Sequence, residues 1–151
     1  MASKAVDVQT EIEIARPRAD VARYACDPDN APDWYENIKS VVWKTPKPVK
    51  VGSRIDFVAR FLGRELAYTY EVRELDDHER LVMSTDHGPF PMETTYTWSD
   101  TPSGGTHMTL RNRGMPSRFS RVASPLMAAA MRRANRKDLR ALKNALERKD
   151  P

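Results

Sequence analysis

Three tyrosines fall at strand-like spacing: Tyr68 and Tyr70 in "ELAYTYEVREL", and Tyr96 in "METTYTWSD". A phenol has an apolar body and a hydroxyl tip, which suits it to orienting an oxygenated ligand. With a pKa near 10 it donates a hydrogen bond at neutral pH rather than acting as a base. Three phenols on facing strands could polarise a carbonyl. The plainer reading is packing at a cavity edge, each hydroxyl bonded to backbone or water.

Proton transfer needs a group that titrates near neutrality, and His87 in "STDHGPFPMETTYTW" is of that type. Its neighbour Asp86 would point to the opposite face of a strand, so His87 lacks an orienting partner and reads as a turn histidine. His78 sits in "DDHE", and His107 alternates away from Met108 and Leu110, so both read as exposed. No H-x-x-x-H or HExxH spacing occurs, and no metal site is expected. The single Cys26 excludes an internal disulfide and reads as inert packing. No G-x-G-x-x-G, phosphate loop or G-x-S-x-G elbow is present, so no cofactor is expected and no catalytic residue is assigned. Acidic residues mostly take outward positions, with no inward carboxylate pair. Arg60, Arg64, Arg111 and Arg113 are candidate anion contacts at strand ends.

These side chains need elements to place them. "VDVQTEIEI" alternates cleanly, with Val6, Val8, Thr10, Ile12 and Ile14 on one face and mostly acids on the other, as a strand with one wet face does. "ARPRADVARYACD" predicts a short helix with Pro17 in its first turn. "DPDNAPDWYEN" predicts a turn and a second, very short helix around residues 31–35. Six further strands follow. "IKSVVWKT" comes first, then a hairpin closing at Gly63-Arg64, then runs joined by "DDHE", "GPFP" and "TPSGG". Short connections between successive strands predict an antiparallel meander. The last 35 residues are rich in helix formers. Leu126, Met127, Ala130, Met131, Ala134, Leu139, Leu142 and Leu146 form the expected apolar stripe, and Ser124-Pro125 resembles a cap and first-turn proline.

The 151 residues suit one domain, 1–151, able to bury about two-thirds of its unfolded surface. The start, "MASKAVDVQTEIEI", has no apolar core of signal-peptide length, and no run approaches the roughly 20 apolar residues of a membrane span. A cytoplasmic location is the expectation. Net charge is +4, unevenly spread: from Ser117 onward ten cations meet three acids, giving +7 there and −3 before it. Such asymmetry fits either a solvated helix face or an anionic partner. The basic stretch has no interleaved aromatics, so nucleic acid is not expected.

Seven amphipathic strands must bury one face, and one long amphipathic helix is available to cover it. The predicted fold is α+β: a curved seven-stranded antiparallel sheet gripping a long C-terminal helix, with two short helices after the first strand. This order resembles the START-like helix-grip superfamily (SRPBCC type), and within it the polyketide cyclase/dehydrase and lipid-transport group. The resemblance runs through Pro32 with Trp34, Val51-Gly52-Ser53, Gly104-Gly105-Thr106 and "RKDLRALKNALE", and covers nearly the whole chain. It implies a cavity between sheet and helix for a small hydrophobic, aromatic or lipid-like ligand. The candidate ligand-binding residues are Phe57, Phe61, Tyr68, Tyr70, Met83, Met92, Tyr96, Trp98, Met108, Met127 and Met131, with Leu110 beside them. Three functions stay open: ligand carriage, cyclase or dehydratase chemistry through the tyrosine hydroxyls, and docking of the basic helix to a partner or membrane. A homodimer is left open.

Overall fold

The structure, a computed structural model, describes residues 6–61, 63–85, 91–114 and 124–148. Strand β1 (Val6–Ile14) is followed by helix α1 (Arg18–Cys26), a 3-10 turn (Pro28–Asn30) and helix α2 (Ala31–Trp34). Then come β2 (Ile38–Trp43), β3 (Arg54–Phe61), β4 (Arg64–Asp76), β5 (Arg80–Thr85), β6 (Met92–Asp100), β7 (Thr106–Gly114) and helix α3 (Ser124–Arg148). The strands form one curled antiparallel sheet in the order β1-β7-β6-β5-β4-β3-β2. This is the helix-grip arrangement that the element order predicts.

Because β1 and β2 lie on opposite edges, the chain must cross the sheet between them, and α1 and α2 make that crossing. Pro17 stands just before α1 rather than in its first turn. Its carbonyl accepts from the N–H groups of Asp20 and Val21, at 3.0 and 3.1 Å, and so starts the helix. Val21, Ala22 and Ala25 bury one face of α1, and Ala31 and Trp34 bury α2.

Register follows the alternation. Ile55 faces Tyr70 and Phe57 faces Tyr68 across β3 and β4. Tyr96 faces Leu110 and Trp98 faces Met108 across β6 and β7. These residues share the inner face, and Ile55, Phe57, Tyr96, Trp98, Met108 and Leu110 are buried there. The outer face carries side-chain pairs: Arg111 grips Asp7 with two bonds of 2.8 and 2.6 Å, Arg113 meets Glu93 at 3.0 Å, and the half-buried His107 hydrogen-bonds to Glu11 at 2.7 Å. On this face solvent screens these pairs, and each adds little to stability. Arg111 and Arg113 are therefore engaged within the sheet and are not free anion contacts.

Helix α3 buries Asn135, Asp138, Leu139, Leu142 and Leu146. The expected stripe is corrected at its start: Leu126 is 76% exposed and Ala130 is exposed. At 100° per residue both lie on the side opposite Leu142, so the inward face of the first turns is narrower than an apolar count implies. The C-terminal half is anchored to the end of β1. Arg16 donates to the Leu146 carbonyl at 2.8 Å, the Ala15 N–H donates to Glu147 at 2.8 Å, and Lys143 donates to the Glu13 carbonyl at 2.9 Å. Cations at the last carbonyls of a helix are favoured by its dipole.

The β6–β7 turn passes close under the end of β1. Gly104 has φ +87°, a left-handed conformation that suits glycine. At Gly105 an added Cβ would sit 2.7 Å from the Ile14 carbonyl oxygen, a contact with backbone that cannot swing away. Gly105→Ala is expected to destabilise the fold by about 1–3 kcal/mol, read as a lower urea midpoint with an unchanged slope.

Candidate functional site

The crossing through α1 and α2 sets Trp34 and Tyr35 against the inner face of β6. Tyr35 and Tyr96 share a short hydroxyl–hydroxyl hydrogen bond. Trp34 packs on both, with ring centroids 4.1 Å from Tyr35 and 5.7 Å from Tyr96. Trp98 meets Tyr96 edge-on at 6.0 Å, and Tyr70 meets Phe57 edge-on at 5.6 Å. Thus an aromatic wall joins α2 to strands β3, β4 and β6.

Burial raises the pKa of Tyr35 and of Tyr96 well above the usual phenol value; for Tyr70 it pushes the pKa up to about 12. All three stay neutral donors at physiological pH. Asp138 lies on the inward face of α3 and accepts the Glu36 N–H at 3.2 Å. Burial pushes its carboxyl up to about 6, partly opposed by that hydrogen bond. The group thus titrates where a general base or acid operates. Cys26 is also raised, to about 12, by burial, so its thiol is unreactive.

Two concavities adjoin the wall, and a third lies away from it. A narrow interior cleft, lined by Trp34, Tyr35, Phe57, Met83 and Tyr96, holds about 20 Å³ of free space, enough for one water molecule. A second cleft of about 370 Å³ opens between α2 and α3; Trp34 and Tyr35 line it together with Ile38, Asp138 and Ala141. A third pocket lies beyond Cys26. Volumes of several hundred Å³ suit small organic ligands.

Of the residues expected to bind ligand, Phe57, Met83, Tyr96, Trp98 and Met108 are buried on the inner face. Tyr68, Tyr70, Met92 and Met131 are half-buried. The side chains of Phe61, Arg64 and Met127 lie outside the described residues, as do Asp86 and His87. Tyr70 lies within electrostatic reach of both Tyr35 and Tyr96. Tyr96 bonds to Tyr35, and Tyr70 interacts with Thr94 through its hydroxyl. Tyr68 stands further along β4, opposite Phe57 near the hairpin. Tyr35 and Asp138 were not expected at the site. The signal for Tyr35 was its place in "DWYEN", directly after a tryptophan in a short helix. For Asp138 it was its position one helical turn before Leu142. His78 is half-buried beside the third pocket rather than exposed, and has φ +61°. Among the described residues no group of three His, Cys, Asp or Glu side chains could hold a metal ion.

The family described as polyketide cyclase / dehydrase and lipid transport matches residues 5–147. The chain belongs to this family. Solved structures share its fold. The Thermus thermophilus protein TTHA0849 is 21% identical with a TM-score of 0.77, over 91% of this chain and 94% of that one. The di-domain ARO/CYC StfQ of the steffimycin biosynthetic pathway is 14% identical with a TM-score of 0.78, over 93% of this chain and 50% of that one. The di-domain ARO/CYC BexL of the BE-7585A biosynthetic pathway is 13% identical with a TM-score of 0.81, over 99% of this chain and 52% of that one. The chain therefore spans about half the length of these di-domain proteins. No curated protein matches the sequence. Within this cyclase/dehydrase and lipid-transport family, the aromatic wall and Asp138 form the candidate site of the present chain.

Asp138 gives a pH signature. Its folded-state pKa of about 6 exceeds the ordinary 3.8, so the folded chain holds this proton more tightly than the unfolded chain. Its contribution is fully present below 3.8 and is lost as pH rises through about 6, by roughly 3 kcal/mol. Asp138→Asn keeps an acceptor for the Glu36 N–H and removes the titration. The variant is expected to be the more stable of the two at pH 7, with the gap closing on acidification. Urea unfolding of both proteins along the pH range checks this.

Proposed function

We propose that the chain binds or carries a small hydrophobic, aromatic or lipid-like molecule between the sheet and α3, as a single-domain cytoplasmic protein. The observation that carries this reading is the set of unmatched polar atoms inside the grip. Among the described residues, Trp34 Nε1, Trp98 Nε1 and Asn135 Nδ2 are buried without a hydrogen-bond partner, and all three are donors. An orphaned buried donor costs about 1–3 kcal/mol, so such groups call for acceptors. Trp34 lines both the interior cleft and the α2–α3 cleft, where a ligand with an aromatic or aliphatic body and carbonyl or hydroxyl oxygens would supply its acceptor. The interior cleft must widen to admit it, and Met83 is a side chain that re-packs readily. No described helix is long and apolar enough to cross a membrane.

The same geometry supports a catalytic version. Neutral Tyr35 and Tyr96 would polarise a ligand carbonyl, and Asp138 would take the proton in a cyclisation or dehydration. Family membership and the fold shared with two di-domain ARO/CYC proteins support this version.

Organic extraction of the purified protein, followed by mass spectrometry, is expected to release an oxygenated hydrophobic molecule. A Tyr35→Phe, Tyr96→Phe double variant should bind that molecule about tenfold more weakly, equivalent to one 1.4 kcal/mol hydrogen-bond contribution. Equal affinity would remove the tyrosines from the site.

A second reading rests on the outer face of α3. Arg133, Arg136 and Arg140 are exposed along it, and among the described residues none has an ion-pair partner, whereas Lys137 pairs with Glu36 and Lys143 with Glu147. This stripe, following the exposed Leu126, suits a flat anionic surface such as a membrane. Phosphatidylglycerol vesicles are expected to sediment the protein at low salt and release it as salt rises. The Arg133→Glu, Arg136→Glu, Arg140→Glu variant should stay in solution; undiminished binding by it would discard the reading.

A further inference from the structure

The third concavity lies at the end of the sheet where α1, the β2–β3 loop and the β4–β5 turn meet, and its volume is about 390 Å³. Cys26, Asp27, Pro28 and Val49 line both this pocket and the narrow interior cleft. The two spaces are thus separated only by a ring of small or medium side chains. The floor of the outer pocket is apolar, from Ala22, Trp43, Val49 and Leu75. Its rim is charged and of mixed sign, with Arg23 and Lys47 set among Asp27, Asp29 and Asp77, and the His78 ring beside them.

One side of the rim is a strap. Lys47 meets Asp29 at 2.6 Å and stands 5.5 Å over the Trp43 ring, while Trp43 Nε1 donates to Asp29 at 2.8 Å. These contacts tie the β2–β3 loop, which carries Val49, to the 3-10 turn, which carries Pro28. Lys47 and Asp29 are 61% and 42% exposed, so their ion pair is weak enough to open thermally.

We propose that this outer pocket is a ligand site in its own right, the vestibule through which a small amphipathic molecule passes Cys26 and Val49 into the interior cleft. The apolar floor takes the aromatic or aliphatic body, and the mixed-sign rim keeps one polar end in water. The Lys47–Asp29 strap holds the passage closed between passages of ligand. The inference rests on the proposed interior binding, and its test separates the two.

The probe is Nile red, an uncharged aromatic dye that brightens in apolar surroundings, mixed with the protein in a stopped-flow fluorimeter. Val49→Trp, which fills the passage, is expected to slow the fluorescence rise at least tenfold. Lys47→Ala, which releases the strap, is expected to speed it severalfold. Val51→Trp is the control: Val51 is 59% exposed, lies on the same loop and lines neither space, so its rate should match the unaltered protein. If Val49→Trp does not fold, Lys47→Ala and the effect of salt on the strap carry the test. Nile red uptake at one rate in all folded variants would overturn the vestibule while leaving interior binding intact. No uptake by the unaltered protein would overturn both.

Discussion

The pairing of the first strand with the last one organises the molecule. With β1 against β7 at one edge, β2 takes the far edge of the sheet. The intervening segment must then travel across the concave side, over residues that would otherwise face α3. That forced crossing brings α2 under the long helix and sets Tyr35 against Tyr96. The aromatic wall is thus a by-product of topology: the chain order obliges a short helix to lie across the concave face.

The interior that results is an uneasy compromise between packing and hydrogen bonding. Tyr35 and Tyr96 satisfy each other, and Asp138 is held by the Glu36 N–H. Among the described residues, Trp34, Trp98 and Asn135 each keep a buried donor without an acceptor. A core selected only for stability would replace such groups by apolar ones of similar shape at little loss. Trp34, one of the three, lines both the interior cleft and the cleft between α2 and α3, which is the placement the proposed binding would use.

Much of the fold was legible because strand side chains alternate locally. The pairs Phe57–Tyr68 and Tyr96–Leu110 follow from counting by twos along each run. The site was less legible because it depends on contacts between distant segments. Tyr35 and Tyr96 are 61 residues apart, and no local pattern specifies how far a four-residue helix reaches across a sheet. Asp138 reads as one more charge in a basic helix until packing shows its face turned inward. Leu126 is the converse case: its chemistry predicts burial, yet the angular position of the first turn leaves it in water. Tyr68, read correctly for face, lies too near the hairpin to join the others, since position along a strand is set by where neighbouring strands end.

The ion pairs on the outer face also bear on how two copies of the chain would meet. Asp7, Glu11 and Glu13 share the solvent side of β1, an edge strand that helix α3 caps near its end, where Lys143 donates to the Glu13 carbonyl. The partners of Asp7 and Glu11, Arg111 and His107, lie on β7, already inside the sheet. A second β1 arriving antiparallel at that edge would bring carboxylates opposite carboxylates, with no cation of its own strand to relieve them. The acidic row therefore acts as a built-in guard against sheet-to-sheet polymerisation at that edge.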